Sequence, residues 1–414
     1  MPALKNLLFL VHRIPFPPNK GDKIRSYPIL RHLSDRYRVH LGTFVDDEND
    51  WQYREHLDDL CASTHVLDLR PAAAKLQSLG ALLSGEALSP RYYRSDSMQN
   101  WVRETIQRHE IQLILVFSSA MAQFVPADAK ALKLIDFVDV DSDKWRQYAA
   151  TKYWPLSWIY RREARDLLDY DRKVARAFDH CFFVSEAEAA LFRQLAPESR
   201  EKVHFFPNGV DSSYFAPEKP YPNPYPSRAS VLVFTGAMDY WPNIDAVLFF
   251  ARKVFPGIRA KFPKAWFFVV GSNPAAAVKA LGKCPGIVVT GRVGDIRPFL
   301  VHARLALAPL RIGRGIQNKV LEALAMNKPV LASRKALEGL PPYPGKGLLV
   351  AESAPEMKAL ALKALASDWS LAQHIRNSHW IQKHFSWPAN LTILDQFLEP
   401  ELQPRLSFEP AAGS

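Results

Sequence analysis

Cysteine is scarce in this chain. The 414 residues hold three, Cys61, Cys181 and Cys284, widely separated and odd in number. That excludes a disulfide framework and a clustered-thiolate metal site, and it fits a reducing compartment. Long apolar runs are missing too. No stretch approaches the about 20 residues that a membrane-spanning helix needs. The N-terminal run Leu7–Val11 breaks off at His12-Arg13, a strand's length and too short for a secretory leader. The chain has no G-x-G-x-x-G, so a nicotinamide dinucleotide has no recognisable seat. It shows no internal repeat and no nucleic-acid motif, and its positive charge is spread rather than gathered into a block.

What is present is ordinary globular material, 48% hydrophobic and 23% charged, in a length that suits two domains. The net charge of +11 is compatible with an anionic substrate or an anionic lipid surface, and equally with a cytosolic protein that is merely basic. Strand-like and helix-like segments alternate throughout, the pattern of parallel α/β sheets. In the first half Asn6–Val11, Val39–Phe44, His65–Leu69, Ile111–Phe117, Leu132–Ile135, Cys181–Val184 and Val203–Phe206 read as strands. In the second half Val231–Thr235, Trp266–Val270, Gly286–Thr290, Leu305–Pro309, Pro329–Ala332 and Gly347–Ala351 do. These are apolar runs without alternation, as expected of strands buried on both faces. Between the halves, Ala216–Ser227 holds prolines at 217, 220, 222, 224 and 226 and reads as a stiff connection.

The segment Pro309–Val330 (PLRIGRGIQNKVLEALAMNKPV) carries the densest chemistry. It reads as a strand end, a basic loop with Arg311, Gly313, Arg314 and Gly315, a short helix, and the next strand. Glycines let a backbone approach a ligand closely, and a helix N-terminus offers free N–H groups to an anion. Arginine and lysine add charge suited to phosphate. Lys319 and Glu322 share one helical face, and the carboxylate is placed to accept from sugar hydroxyls. The set suits a nucleoside diphosphate with its ribose or a sugar. A Lys/Glu pair at this spacing also serves as a staple on a solvated helix, so the segment alone leaves both readings open.

A second segment, Lys202–Pro217 (KVHFFPNGVDSSYFAP), runs from a strand into the turn pair Asn208-Gly209. NGVD with Phe215 and Pro217, taken with K-x-L-E-A-L-A-x-x-K-P-V, resembles the C-terminal half of family 4 glycosyltransferases, and the likeness extends over nearly the whole chain. More narrowly, PFPPNKGDKIRS, FTGAMDYWPN, GRVGDIRPFL and GRGIQNKVLEALA resemble the sugar transferases associated with PEP-CTERM/exosortase exopolysaccharide systems of Gram-negative bacteria. The resemblance implies an α/β GT-B fold, two Rossmann-like domains facing across a cleft. Residues 1–211 would bind acceptor and residues 228–384 the nucleotide-sugar donor. A Pro-rich linker would span 212–227, the last helix, 385–400, would cross back to the N-terminal domain, and 401–414 would be a tail. The implied activity is a retaining hexosyl transfer from a UDP- or GDP-sugar to a lipid-linked glycan or exopolysaccharide acceptor. It needs no cofactor beyond the donor and no metal, and it would take place in the cytoplasm at the inner face of the cytoplasmic membrane. The rivals are a nucleotide-sugar epimerase of the same architecture and a catalytically inactive GT-B scaffold of a membrane polysaccharide assembly.

Site residues follow by position. Glu322, Lys319 and Arg314 are expected at the diphosphate and ribose, with Gly236, Arg292, Val293, Gly313, Gly315, Ile316, Gln317, Asn318 and Val320 around the donor. The first βα loop, HRIPFPPNKGDKI, brings Lys20, Gly21 and Asp22 to the acceptor side, with Ser118 and Asp139 at later strand ends. Asp22 and Asp295 can equally be helix caps, as can Asn318. The chain departs from the family in three places. The basic pair usual after the first strand of the donor domain is missing, since FTGAMDYWPN offers Ala237 and Pro242-Asn243. The first of two glutamates eight apart falls on Arg314, which implies a relocated diphosphate site on Arg314, Lys319 and Arg292. The histidine usual after the fourth strand is absent from Phe117-Ser118-Ser119-Ala120, so no general base is assigned and the leaving diphosphate takes the acceptor proton. Finally, Lys144–Arg165 mixes Trp145, Tyr148, Tyr153, Trp154, Trp158 and Tyr160 with Lys144, Arg146, Lys152, Arg161, Arg162 and Arg165. Amphipathic aromatics among bases suit a bilayer interface, or else a core helix with a basic outer face.

Overall fold

The computed structural model describes residues 4–18, 21–150, 152–312, 317–366 and 371–399. Lys20, Gly313, Arg314, Gly315, Ile316 and the tail 401–414 lie outside them. The chain packs as two compact units, one of residues 1–206 with 390–414, the other of residues 207–389.

The first unit is built on β1 (Asn6–Val11), β2 (Arg38–Val45), β3 (Ser63–Asp68), β4 (Leu113–Phe117), β5 (Leu132–Val138), β6 (His180–Phe183) and β7 (Val203–Phe205). The second is built on β8 (Ser230–Thr235), β9 (Ala265–Val270), β10 (Ile287–Gly291), β11 (Leu305–Ala308), β12 (Val330–Ala332) and β13 (Leu348–Val350). Every strand expected from the apolar runs forms. The sheet orders are β3-β2-β1-β4-β5-β6-β7 and β10-β9-β8-β11-β12-β13, and all neighbours are parallel. In each sheet the order reverses once, between β1 and β4 and between β8 and β11. Helices diverge above such a switch point, and that opening at the carboxyl ends of the strands is where ligands bind in doubly wound sheets. The strands themselves are sealed: Leu7, Leu8, Phe9 and Leu10 have no exposed surface, nor do Leu232, Phe234, Phe267, Val269 and Val270.

Buried charge braces the first sheet at its carboxyl edge. The helix Gly21–Ser34 sends Arg25 to Asp136 on β5, with Nε donating to Oδ2 at 2.6 Å and Nη2 to Oδ1 at 3.3 Å. Arg25 also donates to the Phe206 carbonyl and lies 3.8 Å over that ring. Asp136 in turn holds two strained strand ends. Its carbonyl accepts from Ser118 N–H and its Oδ1 from Val138 N–H. Ser118 and Val138 have φ of 75° and 69°, left-handed values that cost a non-glycine residue about 1–3 kcal/mol each.

The division between the units falls at Phe206, ahead of Asp211, for a packing reason. Val210 N–H donates to the Phe385 carbonyl, and Gly209 lies so close to Trp387 that an added Cβ would sit 2.7 Å from its ring and backbone. The turn pair Asn208-Gly209 is therefore committed to the second unit. The helix Trp387–Leu398 passes from the second unit to the first at Asn390. There Asp395 accepts from His32 Nε2 at 2.7 Å, and Phe397 packs on His204 with ring centres 4.3 Å apart. Among the described residues no helix is long and apolar enough to cross a membrane.

Because Arg25 and Asp136 are each at most 2% exposed, removing one partner strands the other's charge. Asp136→Ala should lose about 3–5 kcal/mol in urea unfolding, whereas replacing both by apolar residues of similar size should lose far less. A loss below about 1 kcal/mol for the single variant would show that the pair does not brace the strand ends.

Candidate functional site

In the second unit, chemistry gathers where β8 and β11 part. β8 ends at Thr235, and Gly236 follows with φ of 148°. A Cβ there would stand 2.8 Å from Asn243 Nδ2 and 3.5 Å from Lys319 Cε, so the missing side chain is what lets these two meet. Asn243 is buried in the first turn of the helix Trp241–Phe249. Its Nδ2 donates to the Ala237 carbonyl at 2.8 Å, and its Oδ1 accepts from Lys319 Nζ at 3.0 Å. Lys319 also lies 5.1 Å over the Phe234 ring.

Lys319 and Glu322 belong to the helix Asn318–Ala325 that follows the glycine loop. Apart from Asn318 at its start, the rest of the helix is apolar, with Val320, Leu321, Ala323, Leu324 and Ala325 buried. Burial pulls the Lys319 ammonium down to about 8, with only the Glu322 charge acting against it. Burial likewise lifts the Glu322 carboxyl to about 7, opposed by Lys319. Glu322 is 8% exposed, and among the described residues its carboxylate accepts no hydrogen bond. A buried acid with free lone pairs is a ready acceptor for ligand hydroxyls. The helix has no side-chain cap at Gln317, and Val320 N–H donates to the Gln317 carbonyl at 2.9 Å, which leaves the Asn318 and Lys319 N–H groups at the helix start to face an anion.

The surrounding residues divide between ligand-facing and structural places. Asn318 Oδ1 accepts from Asn208 Nδ2 at 3.0 Å; it ties the helix to the NGVD turn and is not the cap that the sequence allowed. Gly291 turns at the end of β10 with φ of 72°, and Arg292 beyond it is exposed while Val293 packs on the core. Asp295 accepts the Arg297 N–H at 2.9 Å and pairs with that guanidinium, one residue ahead of the N-cap, which is Ile296 and not Asp295. Arg297 lies 3.8 Å over the Tyr214 ring, and Tyr214 carries the charges of Asp295 and Glu322 as neighbours. Val320 is a core residue. Arg311 pairs with Asp245 and lies 4.8 Å over Phe249, so it holds the loop to the neighbouring helix.

The first unit gathers its own cluster where β1 and β4 part. His12 follows β1 directly, its ring stacked on Phe117 and edge-on to Tyr93, each 5.8 Å away. Its Nε2 lies 3.2 Å from Asp22, in the first turn of the helix Gly21–Ser34. Arg13 bridges Asp22 and Asp46. Burial opposes ionisation of Asp22, but the His12 hydrogen bond and the Arg13 charge more than reverse it and hold the acid well below the ordinary carboxylate range. His12 Nδ1 and Asp46 Oδ1 are buried with no partner among the described residues, a cost of about 1–3 kcal/mol each that structures tolerate mainly where function demands it. Gly21 has open space where a Cβ would go, and Ser118 follows Phe117. Asp139 is committed to Lys144 at 2.7 Å. Asp136 and Asp143 are also spent, on Arg25 and on Arg146.

Sequence reasoning missed His12, Arg13 and Asp46 here, and Asn243 as a Lys319 partner. The only signal was a polar pair, His12-Arg13, placed directly after the first strand. The aromatics of Lys144–Arg165 prove to be of two kinds. Trp145 packs on Tyr160 at 5.1 Å and edge-on to Tyr148 at 6.0 Å, joining the helices Asp141–Ala150 and Leu156–Ala177. Tyr153, Trp154 and Trp158 are exposed.

Residues 229–368 match the family model described as Glycosyl transferases group 1. That match lies within the second unit, residues 207–389. The whole chain is similar in structure to HepE from Anabaena solved with UDP and glucose, with TM-score 0.66 and 15% identity over 96% of this chain and 100% of that one. It is similar also to WaaG, a glycosyltransferase involved in lipopolysaccharide biosynthesis, with TM-score 0.63 and 16% identity over 94% and 99%. A glycosyltransferase from Rickettsia africae gives 0.60 and 14% over 96% and 99%. At these identities the likeness shows the fold, which is GT-B. No curated protein sequence matches the chain.

In the second unit the shifted acid gives a pH test. A carboxyl raised from 4.5 to about 7 contributes stability that is full below pH 4.5 and lost as pH climbs through 7. Denaturant unfolding of wild type and Glu322→Gln should therefore drift in the variant's favour across that window, by roughly 1–3 kcal/mol, and level off above it. A wild-type-minus-variant difference that ignores pH would contradict the buried, unbonded carboxyl.

Proposed function

We propose that the chain is a retaining family 4 glycosyltransferase. It moves a hexose from a UDP- or GDP-sugar to a lipid-linked glycan or exopolysaccharide acceptor at the inner face of the cytoplasmic membrane, in systems of the PEP-CTERM/exosortase kind. The observation that carries the reading is the set Gly236, Asn243, Lys319 and Glu322 at the switch point of the second unit. Lys319, partly neutral near pH 8, takes full charge when a diphosphate arrives and stabilises the negative charge that grows on the leaving group. Glu322 accepts the ribose hydroxyls. Arg314, with Gly313, Gly315 and Ile316, belongs to the same proposed diphosphate contact, together with Arg292. The UDP in HepE supports a uridine nucleotide, and the role of WaaG in lipopolysaccharide biosynthesis supports a lipid-borne glycan acceptor.

On the acceptor side, Gly21, Asp22, Lys20 and Ser118 position the incoming hydroxyl, joined by His12. Asp139 acts through its Lys144 pairing. The attacking hydroxyl enters on the face from which the diphosphate departs, and a diphosphate oxygen receives its proton. No metal or cofactor is invoked.

The test is transfer of labelled sugar from UDP- and GDP-sugars into lipid-linked acceptor extracted from bacterial membranes. One donor should label the acceptor with retained anomeric configuration. Glu322→Gln should cut the rate by about a hundredfold or more without lowering the melting temperature at neutral pH. Conversion of nucleotide sugar without acceptor would indicate an epimerase, and no turnover with any donor an inactive scaffold.

A further inference from the structure

The turn joining the helices Asp141–Ala150 and Leu156–Ala177 leaves large apolar side chains uncovered. Tyr153 is 92% exposed, Trp154 79%, Leu156 47% and Trp158 51%. Such a run within six residues is a contiguous patch of the kind that marks an interaction surface. Trp145 and Tyr160, which the composition alone would have grouped with them, join the two helices, and Tyr148 packs on Trp145. The remaining aromatics are those the fold does not need.

The charge around the turn is one-sided. Arg146 and Arg165 are 68% and 72% exposed, and Lys152 and Arg161 are exposed beside them. The nearby acids are engaged. Glu163 is fully buried and accepts from Leu88 and Ser89, Asp166 is paired with Arg162 and Arg165, and Asp141 with Lys144. Tyrosine and tryptophan have an apolar body and a polar tip, which suits the headgroup boundary of a bilayer. Arginine and lysine beside them attract anionic lipid. A second copy of this chain would bring like charges together at the same patch, and so fits the surface poorly.

We propose that the turn Tyr153–Trp158 is a membrane-docking wedge. Tyr153, Trp154, Leu156 and Trp158 enter the headgroup region of an anionic bilayer, and Lys152, Arg161 and Arg165 contact its phosphates. The wedge docks shallowly and reversibly, since among the described residues no helix is long and apolar enough to cross. Its purpose rests on the lipid-linked acceptor proposed above: it holds the first unit at the surface where such an acceptor lies.

The test is co-sedimentation of the full chain with vesicles of phosphatidylcholine alone or mixed with phosphatidylglycerol, alongside quenching of tryptophan fluorescence by brominated lipid. The anionic vesicles should bind the protein and quench it, and the neutral ones should bind weakly. Trp154→Ser with Trp158→Ser should weaken binding by about tenfold or more and abolish the quenching, at unchanged melting temperature because both side chains are exposed. Lys152→Glu with Arg165→Glu should weaken binding and flatten its salt dependence. Failure of wild type to bind anionic vesicles, or undiminished binding by the tryptophan variant, overturns the wedge. So does a finding that the patch instead drives self-association or binds single-stranded nucleic acid. Nucleotide binding, read on the second unit, reports separately on the transfer reaction, so the two readings fail independently.

Discussion

A parallel sheet covered on both faces has no room for charge in its body, and this constraint arranges everything else in the chain. Strands such as Leu7–Val11 and Val231–Thr235 are sealed in apolar contacts, so polar groups collect where the strands end. The reversal of strand order then selects one place on each edge, between β1 and β4 and between β8 and β11, where helices diverge and a ligand can enter. His12 and Ser118 flank the first place. Gly236 and Lys319 flank the second.

At the second place, sterics and electrostatics depend on each other. Lys319 reaches Asn243 because position 236 has no side chain in the way. Its partial burial leaves the ammonium poorly solvated and easily neutralised, and among the described residues Glu322 accepts no hydrogen bond and is opposed in its burial only by that charge. A buried ionisable pair of this kind is a weak source of stability. It makes physical sense as a site held ready for a ligand that brings negative charge to one group and hydroxyls to the other. The first place works differently. Asp22 pairs with Arg13 and with His12, and so holds the imidazole of His12 beside Phe117.

Much of this could be read in the chain, for stateable reasons. The strands declared themselves because unalternating apolar runs have few other uses in a doubly wound protein. Lys319 and Glu322 showed as a spacing, but not as buried groups, since burial depends on the sheet they pack against. Asn208-Gly209 showed as a turn, while its real constraint, close contact with Trp387, comes from a residue far along the chain. His12 and Asp22 are separated by a proline-rich loop whose path no local pattern gives. The aromatics of Lys144–Arg165 looked alike in sequence, and only the helix pairing separates those that pack from those left bare. Residues 313–316 lie outside the described structure, so Arg314 rests on its place in the sequence.

The most direct measurement is calorimetric titration of the protein with UDP, GDP and ADP, repeated on Lys319→Ala. The account predicts that one nucleotide binds with Kd in the micromolar range, about −8 kcal/mol, and that the variant binds it at least about tenfold more weakly. Equal binding by the variant, or no binding of any nucleotide, would contradict the claim that Lys319 and Glu322 form a nucleoside-diphosphate site.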